Sequence, residues 1–169
     1  MSRDSADARL RELGIRLPEP RPAAGSYVPW TRHSGLVFFA GQGAAGHVGR
    51  VGADLTLAGG RAAARAAALN LLTQANAALG SLDAVARIIR VHGWVCCADG
   101  FTDLPEVVDG ASDLLGNVYG DRGRHARTAV GVYMLPRGFA VEVEMVVAVD
   151  LRRARAADPV GSYQHRQVI

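Results

Sequence analysis

The chain has 169 residues, of which 49% are hydrophobic and 21% charged, with a formal charge of +3. That length fits one domain with one core, and the composition excludes both wholesale disorder and a fibrous repeat. No run approaches the roughly 20 apolar residues that span a bilayer, and the start MSRDSADARLRELG is charged where a signal peptide would be apolar, so the expectation is a cytoplasmic protein with no membrane partner.

Residues 1–16 have the spacing of a short amphipathic helix, with Leu10, Leu13 and Ile15 as its apolar positions, and the loop LPEPRPAAG follows. Strand composition fills 27–32 and 35–40 around a turn at His33, Ser34 and Gly35, and the glycine-rich GQGAAGHVGRVG after it predicts loops or a hairpin. Asp54 and Thr56 offer a cap for an alanine-rich helix over 57–79, which Gly80 stops. Residues 85–97 are β-branched and aromatic enough for a buried strand. The run from Phe101 to Gly120 returns to helical spacing: Leu104, Val107, Val108, Ala111, Leu115 and Val118 share one face, and Thr102 or Asp103 is placed to cap it.

Two further strands, 127–134 and 139–149, flank Leu135, Pro136, Arg137 and Gly138, which is a permitted hairpin length. In the second, Phe139, Val141, Val143, Met145, Val147 and Val149 alternate with Ala140, Glu142, Glu144, Val146 and Ala148, so one face is core. Pairing Met134 with Phe139 sets Val130 opposite Val143, Gly131 beside Glu142 and Ala129 beside Glu144, and puts Arg127 on the face of both glutamates. The expected architecture is α+β: a mixed sheet in a single domain, with its valine face covered by two long helices. The other sheet face carries small residues beside charges, so it is either wet or covered by another subunit.

Most catalytic patterns fail. The chain has no lysine, which removes Schiff-base chemistry and the phosphate-reading lysine of a P-loop, and it has no G-x-S-x-G, H-E-x-x-H or C-x-x-C. Its five histidines (His33, His47, His92, His125 and His165) lack metal-ligand spacing, so no metal site is expected, and His92 reads as a satisfied core histidine. Cys96 and Cys97 are sequence neighbours, which argues against a disulfide and for buried, inert thiols. The sequence pI is near 9.3, but the arginines are spread along the chain and aromatics are only 6%, so nucleic acid is not the expected partner.

What remains is Arg127 at the opening of a strand, followed on its own face by Ala129, Gly131 and Tyr133. A planar, permanently charged fork above small side chains suits bidentate capture of a carboxylate. The alternative is a plain ion pair with the diagonal Glu144, worth about 0–1 kcal/mol if exposed.

The stretch H-A-R-T-A-V-G-V-Y-M-L-P-R-G-F-A-V-E-V-E resembles the closing signature of the RidA family, also known as YjgF. Three other segments agree with it: G-S-Y at 25–27, L-V-F-F-A-G-Q at 36–42 and D-G-F-T-D at 99–103. The resemblance covers about residues 20–150, and R-H-A-R, G-A-S-D-L-L and the long N-terminal arm look most like the chorismate-mutase-like subgroup. It implies an arm over 1–20, a RidA-like domain over 21–150 and a tail over 151–169. It also implies a homotrimer whose sheets form a central barrel, with ligand clefts between subunits.

By the same resemblance Arg127 binds the substrate carboxylate, Glu142 positions a water and Tyr27 closes the pocket, with backbone at Gly41 and Ala126 facing the ligand. The implied reaction is hydrolysis of enamines and imines to 2-keto acids and ammonia, with no cofactor. A protonated imine is already electrophilic, so fixing its carboxylate and aiming one water is most of the task. The chain departs from the family pattern at three places: His125 replaces proline, Ala129 replaces cysteine, and Asp109 stands where relatives often show asparagine. An acid at Asp109 could repel a second carboxylate or alter specificity. The rival readings are a non-catalytic binder of small carboxylates and, third, a ribonuclease.

Overall fold

The computed structural model describes residues 5–154. The first helix, α1 (Ala6–Glu12), is shorter than its periodic pattern and is capped by Ser5, whose hydroxyl accepts from the Ala8 amide. It is docked rather than loose: Ala6 and Leu10 are buried, and the Asp83 carboxylate accepts from the Ser5 hydroxyl (2.7 Å) and the Ala6 amide (2.6 Å). Leu13 is exposed, while Ile15 packs against the core.

Strands β1 (Trp30–His33) and β2 (Leu36–Gly43) form a hairpin. Its turn places Ser34 (φ 48°) and Gly35 (φ 79°) in the left-handed region, the type I′ geometry whose twist matches the flanking strands. The glycine-rich segment after β2 contributes isolated bridges, Val48 with Phe139 and Val51 with both Leu55 and Cys97, in place of a hairpin of its own.

Helix α2 (Leu57–Leu79) runs from a Thr56 cap, whose hydroxyl accepts from the Gly59 amide, to Gly80 at φ 72°. Strand β3 (Val85–Cys96) follows, then α3 (Leu104–Tyr119), in which Asp103 occupies the cap position without a side-chain hydrogen bond and Pro105 sits in the first turn. Strands β4 (Ala126–Val132) and β5 (Val141–Val149) complete the molecule.

The five strands lie in the order β1-β2-β5-β3-β4. Strand β5 is antiparallel to both β2 and β3, and β4 is parallel to β3. This corrects the expected hairpin, because β4 and β5 do not pair: β3 lies between them. Each arm of the expected hairpin gains more by bonding to the long strand β3, whose Val85, Ile88, Val91 and Val95 are fully buried. The intervening segment crosses the end of β3, held by the Cys96 amide donating to the Ala140 carbonyl (2.9 Å) and the Gly49 amide to that of Gly138 (3.0 Å).

Both long helices cover one sheet face. They bury Val37 and Phe39 of β2, Val143, Met145 and Val147 of β5, and Val91 and Val95 of β3, so the alternation in β5 is the expected one. The helices approach closely through small residues, and a side chain at Gly110 would run into the Arg61 backbone carbonyl. Among the described residues no helix is long and apolar enough to cross a membrane.

Candidate functional site

Register decides where the predicted site residues go. Arg127 pairs with Val91 and Ala129 with Gly93, and the side chains of paired residues share a face. Arg127 therefore projects to the helix-covered side, toward α3. Glu142 pairs with Trp94 and Glu144 with His92, on the opposite, open face. The expectation that Arg127 shares a face with the two glutamates is corrected: moving the strand from a hairpin with β5 to a parallel pairing with β3 reverses its sidedness.

On the helix side the Arg127 side chain is 22% exposed and its Nη1 makes two bonds, to Asp109 Oδ1 at 2.6 Å and to Ser112 Oγ at 3.1 Å. The alternative partner Glu144 is not involved. Asp109 is one helical turn from Ser112 on α3, so both reach β4 together. Its other oxygen, Oδ2, lies 3.7 Å from Arg61 Nη1, while Arg61 also bonds Asp113 (2.7 Å) and the Glu106 carbonyl (2.9 Å). Two arginines and two aspartates thus balance around the site.

Ser112 continues the network to His125, with Oγ 3.1 Å from Nε2, while His125 Nδ1 lies 2.6 Å from the Gly123 carbonyl. A carbonyl only accepts, so Nδ1 carries the proton and Nε2 of the neutral ring accepts from the serine hydroxyl. Burial first, and the Arg127 charge as well, hold the His125 pKa below 6.5 and favour that neutral form; only the Gly123 bond opposes them. Arg127 Nη1 is then held by acceptors on both hydrogens, and its Nε and Nη2 have no partner among the described residues.

On the open face Glu142 lies over Gly41. Strand β2 carries an extra residue between Phe39 and Gln42 relative to β5, and a Cβ at Gly41 would fall on the Glu142 carboxylate. The absence of a side chain therefore seats that carboxylate. Half-burial, then the charge of Glu144, raises the Glu142 pKa. Beside it His92 stacks on Trp94 (ring centroids 4.2 Å apart), and His92 Nε2 is buried without a partner among the described residues. His92 is thus an open-face residue with one unsatisfied nitrogen, which corrects its reading as a satisfied core histidine.

The structure brings together Arg127 with Asp109, and Gly41 with Glu142, but within one chain these pairs lie on opposite faces of the sheet. Ala126 is exposed at the start of β4, opposite Arg90. Tyr27 is half-exposed before β1, and its hydroxyl accepts from the Ala24 amide at 3.2 Å. Two surface clefts, of about 440 Å³ beside Arg16 and Arg21 and about 310 Å³ beside Tyr133 and Met134, include none of these residues. Sequence reasoning missed Ser112 and Arg61, and noted His125 only as a departure. The signal for Ser112 was its three-residue spacing from Asp109 on a helix. Among the described residues no group of three His, Cys, Asp or Glu side chains could hold a metal ion.

The profile of the family described as "YjgF/chorismate_mutase-like, putative endoribonuclease" matches residues 7–148. Protein TCP17 of Trypanosoma cruzi is 42% identical over 149 residues, which cover 85% of this chain and 93% of the relative. Protein Atu1372 of Agrobacterium tumefaciens has a similar structure, with a TM-score of 0.80 at 37% identity over 86% of this chain and 92% of its own. A "putative endoribonuclease" from Shewanella oneidensis MR-1 aligns with a TM-score of 0.84 at 31% identity, covering 86% of this chain and 99% of that one.

Proposed function

The chain belongs to the YjgF/chorismate-mutase-like family, the RidA family, and on that premise we propose that it docks a small organic acid on Arg127 and hydrolyses enamines or imines derived from amino acids. One observation carries the reading: Asp109 and Ser112 fix Nη1 of Arg127 and leave the Nε–Nη2 edge without a partner among the described residues. That edge presents two parallel N–H groups, the geometry a carboxylate takes in bidentate fashion.

Water activation belongs to Glu142, whose raised pKa brings it closer to that of a useful base. Its placement on the open face supports a role beside an Arg127 of another copy, in a homotrimer whose ligand clefts lie between subunits. The reaction adds water across the C=N bond of the protonated imine, the carbinolamine expels ammonia, and a 2-keto acid remains. No cofactor takes part. The same reading assigns Tyr27 and the backbone at Gly41 and Ala126 to the ligand cleft, sets the domain at 21–150 between an arm and a tail, and places the protein in the cytoplasm.

The separation of Arg127 from Glu142 within a chain favours one second reading, a binding protein that senses a keto acid without turning it over. The balanced charges beside Arg127 argue against a basic groove for RNA. An assay separates enzyme from binder: an amino-acid oxidase generates a short-lived imine, and its disappearance is followed with wild type and with Arg127→Ala. The enzyme reading expects acceleration by wild type and about 100-fold or greater loss in the variant. Equal decay with and without wild-type protein would leave the binder.

A further inference from the structure

We infer that Asp109 makes this site selective for acids that carry a cationic nitrogen beside the carboxylate, such as amino-acid zwitterions and iminium acids, over the corresponding 2-keto acids. The inference rests on the reading of Arg127 as the carboxylate anchor.

The two side chains that bond Arg127, Asp109 and Ser112, both do so as acceptors. Asp109 gives Oδ1 to Arg127, and its side chain remains 41% exposed, with Oδ2 only 3.7 Å from an Arg61 that is already bonded to Asp113 and the Glu106 carbonyl. An ionised carboxylate oxygen accepts about two hydrogen bonds, so Oδ2 has capacity left. Ser112 spends its hydroxyl hydrogen on His125 Nε2 and offers the site only a lone pair. A ligand group placed there must therefore donate: an ammonium or iminium nitrogen does so, and a keto oxygen cannot.

Charge points the same way. Arg61 and Arg127 are balanced by Asp109 and Asp113, and the Glu142 that the proposed function brings from another copy adds only negative charge, so the cluster around Arg127 is itself neutral before a ligand arrives. A zwitterion leaves it neutral, with each pole opposite its complement. A keto acid adds an unopposed negative charge within reach of Asp109, and a dicarboxylate adds two. Asparagine at this position would keep the bond to Arg127 through its carbonyl oxygen while removing that bias.

The test is calorimetric titration of the full-length protein with L-alanine and with pyruvate, a pair that differs at the nitrogen-bearing carbon. Wild type is expected to bind alanine about tenfold more tightly than pyruvate, a difference of roughly 1.4 kcal/mol. In Asp109→Asn the preference disappears or reverses, and in Arg127→Gln neither ligand binds. Wild type that binds pyruvate as tightly as alanine overturns the inference and leaves the carboxylate anchor standing, and the wild-type comparison decides this even if a variant fails to fold. An unchanged ratio in a folded Asp109→Asn protein also overturns it. No binding of either ligand by wild type, or undiminished binding in Arg127→Gln, overturns the anchor and the inference together.

Discussion

At Arg127 the Asp109 carboxylate and the Ser112 hydroxyl both accept from Nη1, so the neighbours of this side chain are set by α3. A guanidinium above Ala129 and Gly131 was legible, because alternation along one strand needs no knowledge of its neighbours. Its partners were not, since Asp109 and Ser112 come from a helix 15 to 18 residues away and contact depends on how α3 lies across β4. The titratable groups around it give two pH predictions. His125 has a lowered pKa in the fold, so protonation is taken up more readily by the unfolded chain, and its contribution to stability is present above pH 6.5 and lost as pH falls through the folded pKa. Melting temperatures measured from pH 8 to 5 should therefore fall more steeply in wild type than in His125→Gln. Glu142 has the opposite sign: its raised pKa means that the ionised form burdens the fold at neutral pH, whereas the protonated form does not at and below 4.5. Glu142→Gln should melt above wild type at pH 8, with the gap closing as the buffer is acidified, even as imine hydrolysis is lost.

Elements with strong local signals were legible almost to the residue. Thr56 and Gly80 bracket α2 as a cap and a left-handed stop, and no tertiary contact was needed to see them. The pairing of β4 was not legible, because a four-residue linker between two strands is compatible with a hairpin and only the competition for β3 excludes it. Sidedness follows from pairing, so the same error moved Arg127 to the wrong face. The helix layer gives its own prediction. Leu115, on the core side of α3, is fully buried, and Leu115→Ala should cost about 2–5 kcal/mol in chemical denaturation. Gly110→Ala, whose new methyl would meet the Arg61 backbone, should also destabilise, and it should weaken acid binding by shifting Asp109 away from Arg127.

For the whole molecule, the proposed reaction requires Arg127 and Glu142 to serve one ligand although a sheet separates them within the chain. A cleft that takes Arg127 from one copy and Glu142 from the next meets that requirement, and subunit mixing tests that arrangement. Arg127→Ala and Glu142→Gln chains, each inactive alone, should regain about a quarter of wild-type activity when refolded together, because random trimers restore that share of the clefts. Sedimentation of wild type should give three times the chain mass of 17.8 kDa. A site built wholly within one chain would show no recovery. Beneath all of these lies the Nε–Nη2 edge of Arg127, which no described residue bonds, and nitrogen-detected NMR reads it directly. The Nε–H resonance of Arg127, assigned by its disappearance in Arg127→Gln, should shift on saturation with L-alanine while other arginine signals hold still. A resonance that stays in place with the ligand in excess would contradict the account.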